Sequence, residues 1–161
     1  MNVWYSLSDI PGNEASVVTI GNFDGMHNGH KKVISTCIER AHKLGVDAVA
    51  ITFDPHPIQV HKPEVGLQLI SPLRDRLDAM AAAGLDATLV AHYDASVYSL
   101  EADEFVYEYL VERCGAREVV VGEDFRFGRG NAGTIDTLRE LGRRYGFNVI
   151  TVTDIEAPEG R

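Results

Sequence analysis

Short β-branched runs alternate with longer stretches of helical periodicity along most of the chain. Ser16-Val17-Val18-Thr19-Ile20 is closed by Gly21, and beyond His30 the apolar positions Val33, Ile34, Cys37, Ile38, Ala41 and Leu44 recur at helical spacing, with Lys, Glu and Arg between them. The first predicted strand therefore passes into a helix near Met26 to Asn28. Asp47 to Phe53, Asp86 to Ala91 (core Ala87 to Ala91), Glu118 to Gly122 and Asn148 to Val152 read as four further buried strands. Helices are expected from Ser71-Pro72 to Ala83, from about Ala102 to Cys114, and from about Ile135 to Tyr145; Ser71 serves as N-cap with Pro72 in the first turn, and Gly84 and Gly146 act as stops. Trp4 and Tyr5 are a candidate edge segment. The prolines of Asp54-Pro55-His56-Pro57 speak against a helix directly after the second strand, and residues 58–70, which carry Pro63 and Gly66, read as an irregular excursion over the strand ends.

Strands alternating with helices imply an α/β fold: a Rossmann-like open parallel sheet of about five strands, with right-handed crossovers and helices on both faces. Ligands of such sheets gather beyond the carboxyl ends of the strands, where the strand order reverses. Three segments rich in His, Asp, Arg and Gly stand at such ends: Gly21 to His30, Asp54 to Pro57, and Gly122 to Gly128. A parallel sheet brings them to one edge, so they are expected to face a common crevice.

The first segment reads as a polyphosphate site. A helix N-terminus directs unpaired N–H groups and a partial positive charge at whatever precedes it. Gly25 and Gly29 keep Cβ atoms out of a ligand's approach, while His27 and His30, three residues apart, project from one face of the first turn. Two other readings stay open. An H-x-x-H pair can ligate a metal, although no Cys or Glu at a suitable local spacing supplies a third ligand. Either histidine can also be an ordinary surface residue.

The 161 residues, 45% hydrophobic and 24% charged, suit one globular domain with a sizeable core. The formal net charge of −9 argues against broad attraction to nucleic acid or an anionic membrane, so any basic site must be local. Cys37 and Cys114 fall in apolar helical stripes with no CxxC partner and read as buried structural thiols, in keeping with a cytoplasmic protein. Neither a charged leader followed by an apolar run nor a segment of membrane-spanning length is found in the sequence. Gly128-Arg129-Gly130-Asn131-Ala132-Gly133 spells the G-x-G-x-x-G dinucleotide fingerprint, with Asp154 downstream. The context is wrong, because Glu123 to Phe127 separate the first glycine from its strand, so a flexible or phosphate-embracing loop is expected instead of a NAD site.

Three stretches together resemble a known family. Gly21-Asn22-Phe23-Asp24-Gly25-Met26-His27-Asn28-Gly29-His30, Thr52-Phe53-Asp54-Pro55-His56-Pro57 and Val121-Gly122-Glu123-Asp124-Phe125-Arg126-Phe127-Gly128 look like the successive signatures of the FMN adenylyltransferase module of prokaryotic bifunctional riboflavin kinase/FAD synthetases, within the nucleotidyltransferase superfamily. The resemblance implies transfer of AMP from ATP to FMN, giving FAD and pyrophosphate. It implies that His27 and His30 contact the ATP phosphates, that Gly21, Phe23, Asp24 and Gly29 line the nucleotide site, and that His56 approaches the triphosphate. Asp124 stands where related proteins place Asn or Asp near the phosphates and magnesium; Arg126 and Phe127 face the nucleotide or flavin region.

The relatives continue with a Ser-Ser-Thr motif and an arginine, followed by a riboflavin kinase domain. This sequence ends at Arg161, where that motif would begin, so a single domain over residues 1–161 without kinase activity, and with impaired adenylyl transfer, is expected.

The implied reaction is an in-line displacement by an FMN phosphate that is already anionic, so the site needs alignment and charge stabilisation rather than a strong base. Magnesium entering with ATP takes one carboxylate, Asp124 before Asp54. Asp54 can equally be a turn former ahead of Pro55, and His56 a solvent-facing loop residue. Two rival readings accompany this one: a cytidylyltransferase-like enzyme, which shares only the opening signature, and a non-catalytic nucleotide- or flavin-binding module. ATP and FMN are the expected partners, with no nucleic acid and no membrane.

Overall fold

The structure is a computed structural model that describes residues 1–23, 28–65 and 72–153. Six strands, β1 (Asn2–Trp4), β2 (Ser16–Ile20), β3 (Asp47–Asp54), β4 (Ala87–His92), β5 (Ala116–Gly122) and β6 (Asn148–Val152), form one sheet in the order β1-β4-β3-β2-β5-β6. Every pairing is parallel. The edge segment expected at Trp4 and Tyr5 is thus a true sixth strand, shifted to Asn2–Trp4 and paired with Ala87–Leu89.

The strand runs are nearly all apolar because both sheet faces are covered. Successive residues of β2 enter opposite cores. Val17 packs with Ile34, Cys37 and Met80, whereas Val18 and Ile20 pack with Leu110, Val119 and Leu138. The helices α1 (Asn28–Leu44) and α3 (Leu73–Ala83) supply the first core. The second is built by α6 (Ile135–Tyr145) and by the segment that begins as α5 (Ala102–Phe105) and continues in π-helical turns over Val106–Arg113, with the short α4 (Ala95–Tyr98) ahead of it. The chain steps outward from β2 to β3 to β4, then returns to lay β5 on the other side of β2. Strand order therefore reverses between β2 and β5, which puts the end of β2 at the binding position of a doubly wound sheet.

Local structure departs from expectation in three places. A helix does follow Asp54-Pro55-His56-Pro57: α2 (Pro57–His61), with a 3-10 turn at Pro63–Val65 in what was expected to be irregular chain. Pro57 sits in the first turn, where its missing N–H is not needed, and His56 caps the helix in its place. Second, α3 starts at Leu73 with extended Pro72 in the N-cap position, while Ser71, the expected cap, lies outside the described residues. Third, the helix expected from Ala102 to Cys114 is α-helical only over its first turn; Cys114 donates to the Tyr109 carbonyl five residues back at 3.2 Å. Its predicted inner face of Phe105, Val106, Tyr109 and Leu110 is buried as expected.

The far end of α1 is tied to the sheet by an ion pair. Glu118 on β5, 4% exposed, accepts two hydrogen bonds from Arg40, at 2.7 and 2.8 Å. These hydrogen bonds hold the Glu118 carboxyl below its ordinary value. Cys37 and Cys114 are free and buried, and burial pushes both thiols up to about 12, where they are unreactive.

Candidate functional site

The end of β2 is organised by one buried cation. Gly21 donates its N–H to the Ile51 carbonyl at 3.1 Å, extending the β2–β3 ladder by one bond. The next carbonyl, of Asn22, accepts from Thr52 Oγ1 at 3.1 Å and from Arg76 Nη1 at 2.7 Å. Arg76 projects from α3, is 2% exposed, also reaches Thr52 Oγ1 at 3.3 Å, and lies 3.9 Å from Asp54 Oδ1 at the end of β3. Its Nε and the Asn22 Oδ1 are buried without a hydrogen-bond partner among the described residues.

Phe23 follows with φ +55°, a left-handed conformation that a bulky residue rarely adopts. Its ring lies over Gly21, where a Cβ would come within 3.0 Å of it, and that close approach is why glycine closes the strand. The ring is 2% exposed and belongs to the core shared with α1, so Phe23 lines the site with backbone rather than with an open aromatic face. On its other side it meets His30 edge-on, with centroids 5.6 Å apart and planes at 83°. His30 is half-buried in the first turn of α1, and the backbone of Gly29 lies in the same turn. Asp24 and His27, both expected site residues, lie outside the described residues.

The other two segments reach the same rim from β3 and β5. Asp54 is the last residue of β3, 44% exposed at its side chain and facing Arg76. His56 is half-buried as the N-cap of α2: its Nδ1 accepts from the Ile58 N–H at 3.1 Å, and its own N–H donates to Gln59 Oε1 at 3.1 Å. Those bonds make it an ordered cap rather than a loose loop residue. Asp124 is exposed in the turn after β5, with Oδ1 folded back to 3.5 Å from the position a Cβ would take on Gly122. His30, Asp54, His56 and Asp124 thus all stand at the carboxyl-end side of the sheet, on or beside the three central strands. The described residues hold no cluster of three or more His, Cys, Asp or Glu side chains suited to a metal. The exposed Asp124 carboxylate does suit a cation that arrives with phosphates and keeps most of its waters; Asp54 suits it less, with its charge turned toward Arg76.

Downstream of Asp124, Phe127 departs from expectation. It is 6% exposed and packed with Phe105, so it presents no open face to a ligand. Phe125, stacked on it at 5.5 Å and only half-buried, is the more accessible ring. Arg126 is exposed and donates weakly to the Asn131 carbonyl at 3.4 Å. The glycines of the fingerprint-like loop have packing reasons of their own. A Cβ on Gly128 would sit 2.9 Å from the Ala102 backbone, one on Gly133 would sit 2.8 Å from Phe127, and a Phe127–Gly133 bridge closes the loop on itself. The expected flexible or phosphate-embracing loop is therefore a packed turn.

Arg76, Thr52, Asn22 and Phe125 were not among the expected site residues. Arg76 left one trace in the sequence: it interrupts the apolar stripe Leu73, Leu77, Met80 at a position that faces the core.

A parallel sheet whose order reverses between β2 and β5, with polar groups at the carboxyl ends of those strands, defines a doubly wound α/β protein. Comparison with known proteins narrows this. The profile of the FAD synthetase family matches residues 9–161. A putative bifunctional riboflavin kinase/FMN adenylyltransferase of Geobacillus thermodenitrificans is 41% identical over 130 residues, covering 81% of this chain and 68% of that protein. The bifunctional riboflavin kinase/FMN adenylyltransferase of Escherichia coli K12 is 32% identical over 145 residues, covering 90% of this chain and 46% of that protein. That of Buchnera aphidicola from Acyrthosiphon pisum is 34% identical, with 87% and 45% covered. The chain spans about half the length of the latter two relatives. Among solved structures, one described as a macrolide-efflux protein from Streptococcus pneumoniae superposes with a TM-score of 0.81 at 26% identity, over 98% of this chain and 52% of that one. A pantothenate synthetase from Thermus thermophilus shares the fold, with a TM-score of 0.62 at 14% identity. The chain belongs to the FAD synthetase family.

Proposed function

We propose that this chain is an FMN adenylyltransferase, joining AMP from ATP to FMN and releasing pyrophosphate. The observation that carries the reading is the gathering of His30, His56 and Asp124 at the carboxyl-end rim of a sheet whose order reverses between β2 and β5, in a chain of the FAD synthetase family. An FMN phosphate oxygen attacks the α-phosphorus of ATP; the new P–O bond forms as the α–β bridge breaks, and the leaving electrons go to pyrophosphate. The nucleophile is an anion, and the site accordingly offers hydrogen-bond donors and positive charge rather than a strong base. His30, together with His27, donates to phosphate oxygens as their charge grows, and His56 approaches the triphosphate from the β3 side. Gly21, Phe23, Asp24 and Gly29 border the nucleotide, and Arg126 borders the nucleotide or flavin region, where Phe125 rather than the buried Phe127 supplies the open ring. Magnesium bound with ATP would offset the pyrophosphate charge; Asp124 would hold it, ahead of Asp54.

A cytoplasmic location belongs to the same proposal and is supported by the two free, buried thiols. No helix among the described residues is long and apolar enough to cross a membrane. Incubation with ATP, FMN and magnesium, followed by chromatography for FAD, tests the reading. FAD formation is expected. Substrate binding without product indicates a non-catalytic module, and product formed only from CTP indicates a cytidylyltransferase-like enzyme.

A further inference from the structure

Arg76 stands out because an apolar residue would fill the same space in α3 without burying a charge. Its guanidinium is 2% exposed, and its nearest carboxylate, Asp54, is 3.9 Å away and half open to solvent. The close contacts are to two neutral acceptors, the Asn22 carbonyl at 2.7 Å and Thr52 Oγ1 at 3.3 Å. Its Nε has no acceptor among the described residues. A buried cation so lightly compensated is costly to fold around. Such a cost persists where the cation holds something in place or faces an anion that arrives later.

The contacts run in one direction. The Asn22 carbonyl held by Arg76 and Thr52 is the last backbone group before Phe23, which is locked at φ +55°, and the Phe23 ring sets the edge of His30. The other limb of the fork faces Asp54 at the end of β3. One planar, two-limbed side chain therefore spans the ends of β2 and β3. Lysine has the charge but not the fork.

Building on the proposed adenylyl transfer, we infer that Arg76 is a positioning residue for the nucleotide half of the site: it fixes the Asn22–Phe23 backbone, and through it His30, while its buried charge draws ATP's phosphates toward the β2 and β3 ends. The FMN half does not depend on it.

Steady-state kinetics of wild type, Arg76→Lys and Arg76→Met, each with ATP varied at saturating FMN and the reverse, tests this. Both variants are expected to lose about 10- to 100-fold in kcat/KM for ATP, the scale of a small misplacement of reacting groups, with Arg76→Lys the milder. The KM for FMN should stay within about twofold, well below the scale of a lost hydrogen bond. Melting by circular dichroism reports folding separately. If Arg76→Met does not fold, Arg76→Lys decides on the same two readouts. Wild-type ATP kinetics in folded Arg76→Lys, or equal losses toward ATP and FMN, would overturn the inference and leave Arg76 a residue of general stability. A wild-type chain that forms no FAD is a different result: it removes the adenylyltransferase reading itself, and the role of Arg76 with it.

Discussion

Two glycine-rich segments follow strands of the same sheet, and they come to opposite ends. After β2, Gly21 admits the Phe23 ring, and the backbone beyond it is held by polar groups from β3 and α3: Thr52 and Arg76. After β5, Gly128 and Gly133 admit Ala102 and Phe127; the Phe127–Gly133 bridge and the Arg126 contact to Asn131 close the loop on itself, and Arg129 ties it to the turn before α5, its N–H donating to the Leu100 carbonyl at 2.9 Å and its side chain lying 3.6 Å from Glu101. Glycine serves close packing in both. What separates them is where the partners come from: a segment held by side chains of β3 and α3 can present a fixed constellation at the strand ends, whereas a loop tied to itself and to the turn before α5 packs as a knob on the core.

The largest expected effect tests the first segment. His30→Ala should leave the melting curve in place and lower adenylyl transfer about 10²- to 10³-fold, as loss of one transition-state donor does, read from FAD formation. Unchanged turnover would remove the β2 end from the chemistry and erase the contrast. Next, Gly128→Ala should destabilise the fold by about 3 kcal/mol in chemical denaturation, because φ +78° with ψ 177° is a region only glycine enters easily and the new Cβ strikes the Ala102 backbone. The KM for ATP of the folded protein should not move.

Arg40→Met probes the anchored end of α1, the helix that carries His30. Because Arg40 depresses the Glu118 carboxyl below its ordinary 4.5, the pair stabilises the fold fully above that value and ceases to do so as pH falls through the lowered one. Without Arg40, burial favours the neutral acid instead, so acid unfolding followed by circular dichroism should begin at a higher pH than in wild type. At neutral pH the ATP kinetics should hold, since His30 is set by Phe23 at the other end of the helix. The smallest effect is expected from Gly130→Ala. At φ +63° it costs about 1 kcal/mol, and nothing lies within 4 Å of the added methyl. A loss matching that of Gly128→Ala would show that the loop's glycines are needed for conformation alone rather than for packing against α5.

The site was legible to the extent that it is local. His30 could be placed in the first turn of α1 from the run of residues around it, because a strand, a glycine stop and a helix start are written in consecutive positions, and His56 could be placed only just beyond the end of β3. Proline as helix breaker misled at Pro57, where the first-turn position inverts its meaning and His56 becomes a cap. Phe127 could not be told from Phe125 by sequence, since which of two aromatic residues two apart turns inward depends on Phe105 arriving from another helix. Arg76 was missed for the same reason: its acceptors lie 54 and 24 residues away, and only its intrusion into an apolar stripe hinted at a buried charge.

The sequence by itself determined the strands β2 to β6, the extent of α1 and α6, and the family, because β-branched runs, helical periodicity and glycine stops act between neighbours along the chain. Tertiary structure alone decided that Asn2–Trp4 joins the sheet beyond β4, that order reverses beside β2, and that a buried arginine clasps the ends of β2 and β3. Those outcomes depend on which distant segments share a buried space. There an unpaired carbonyl or an uncompensated charge costs enough for the whole fold, rather than any one stretch of it, to settle where each polar group goes.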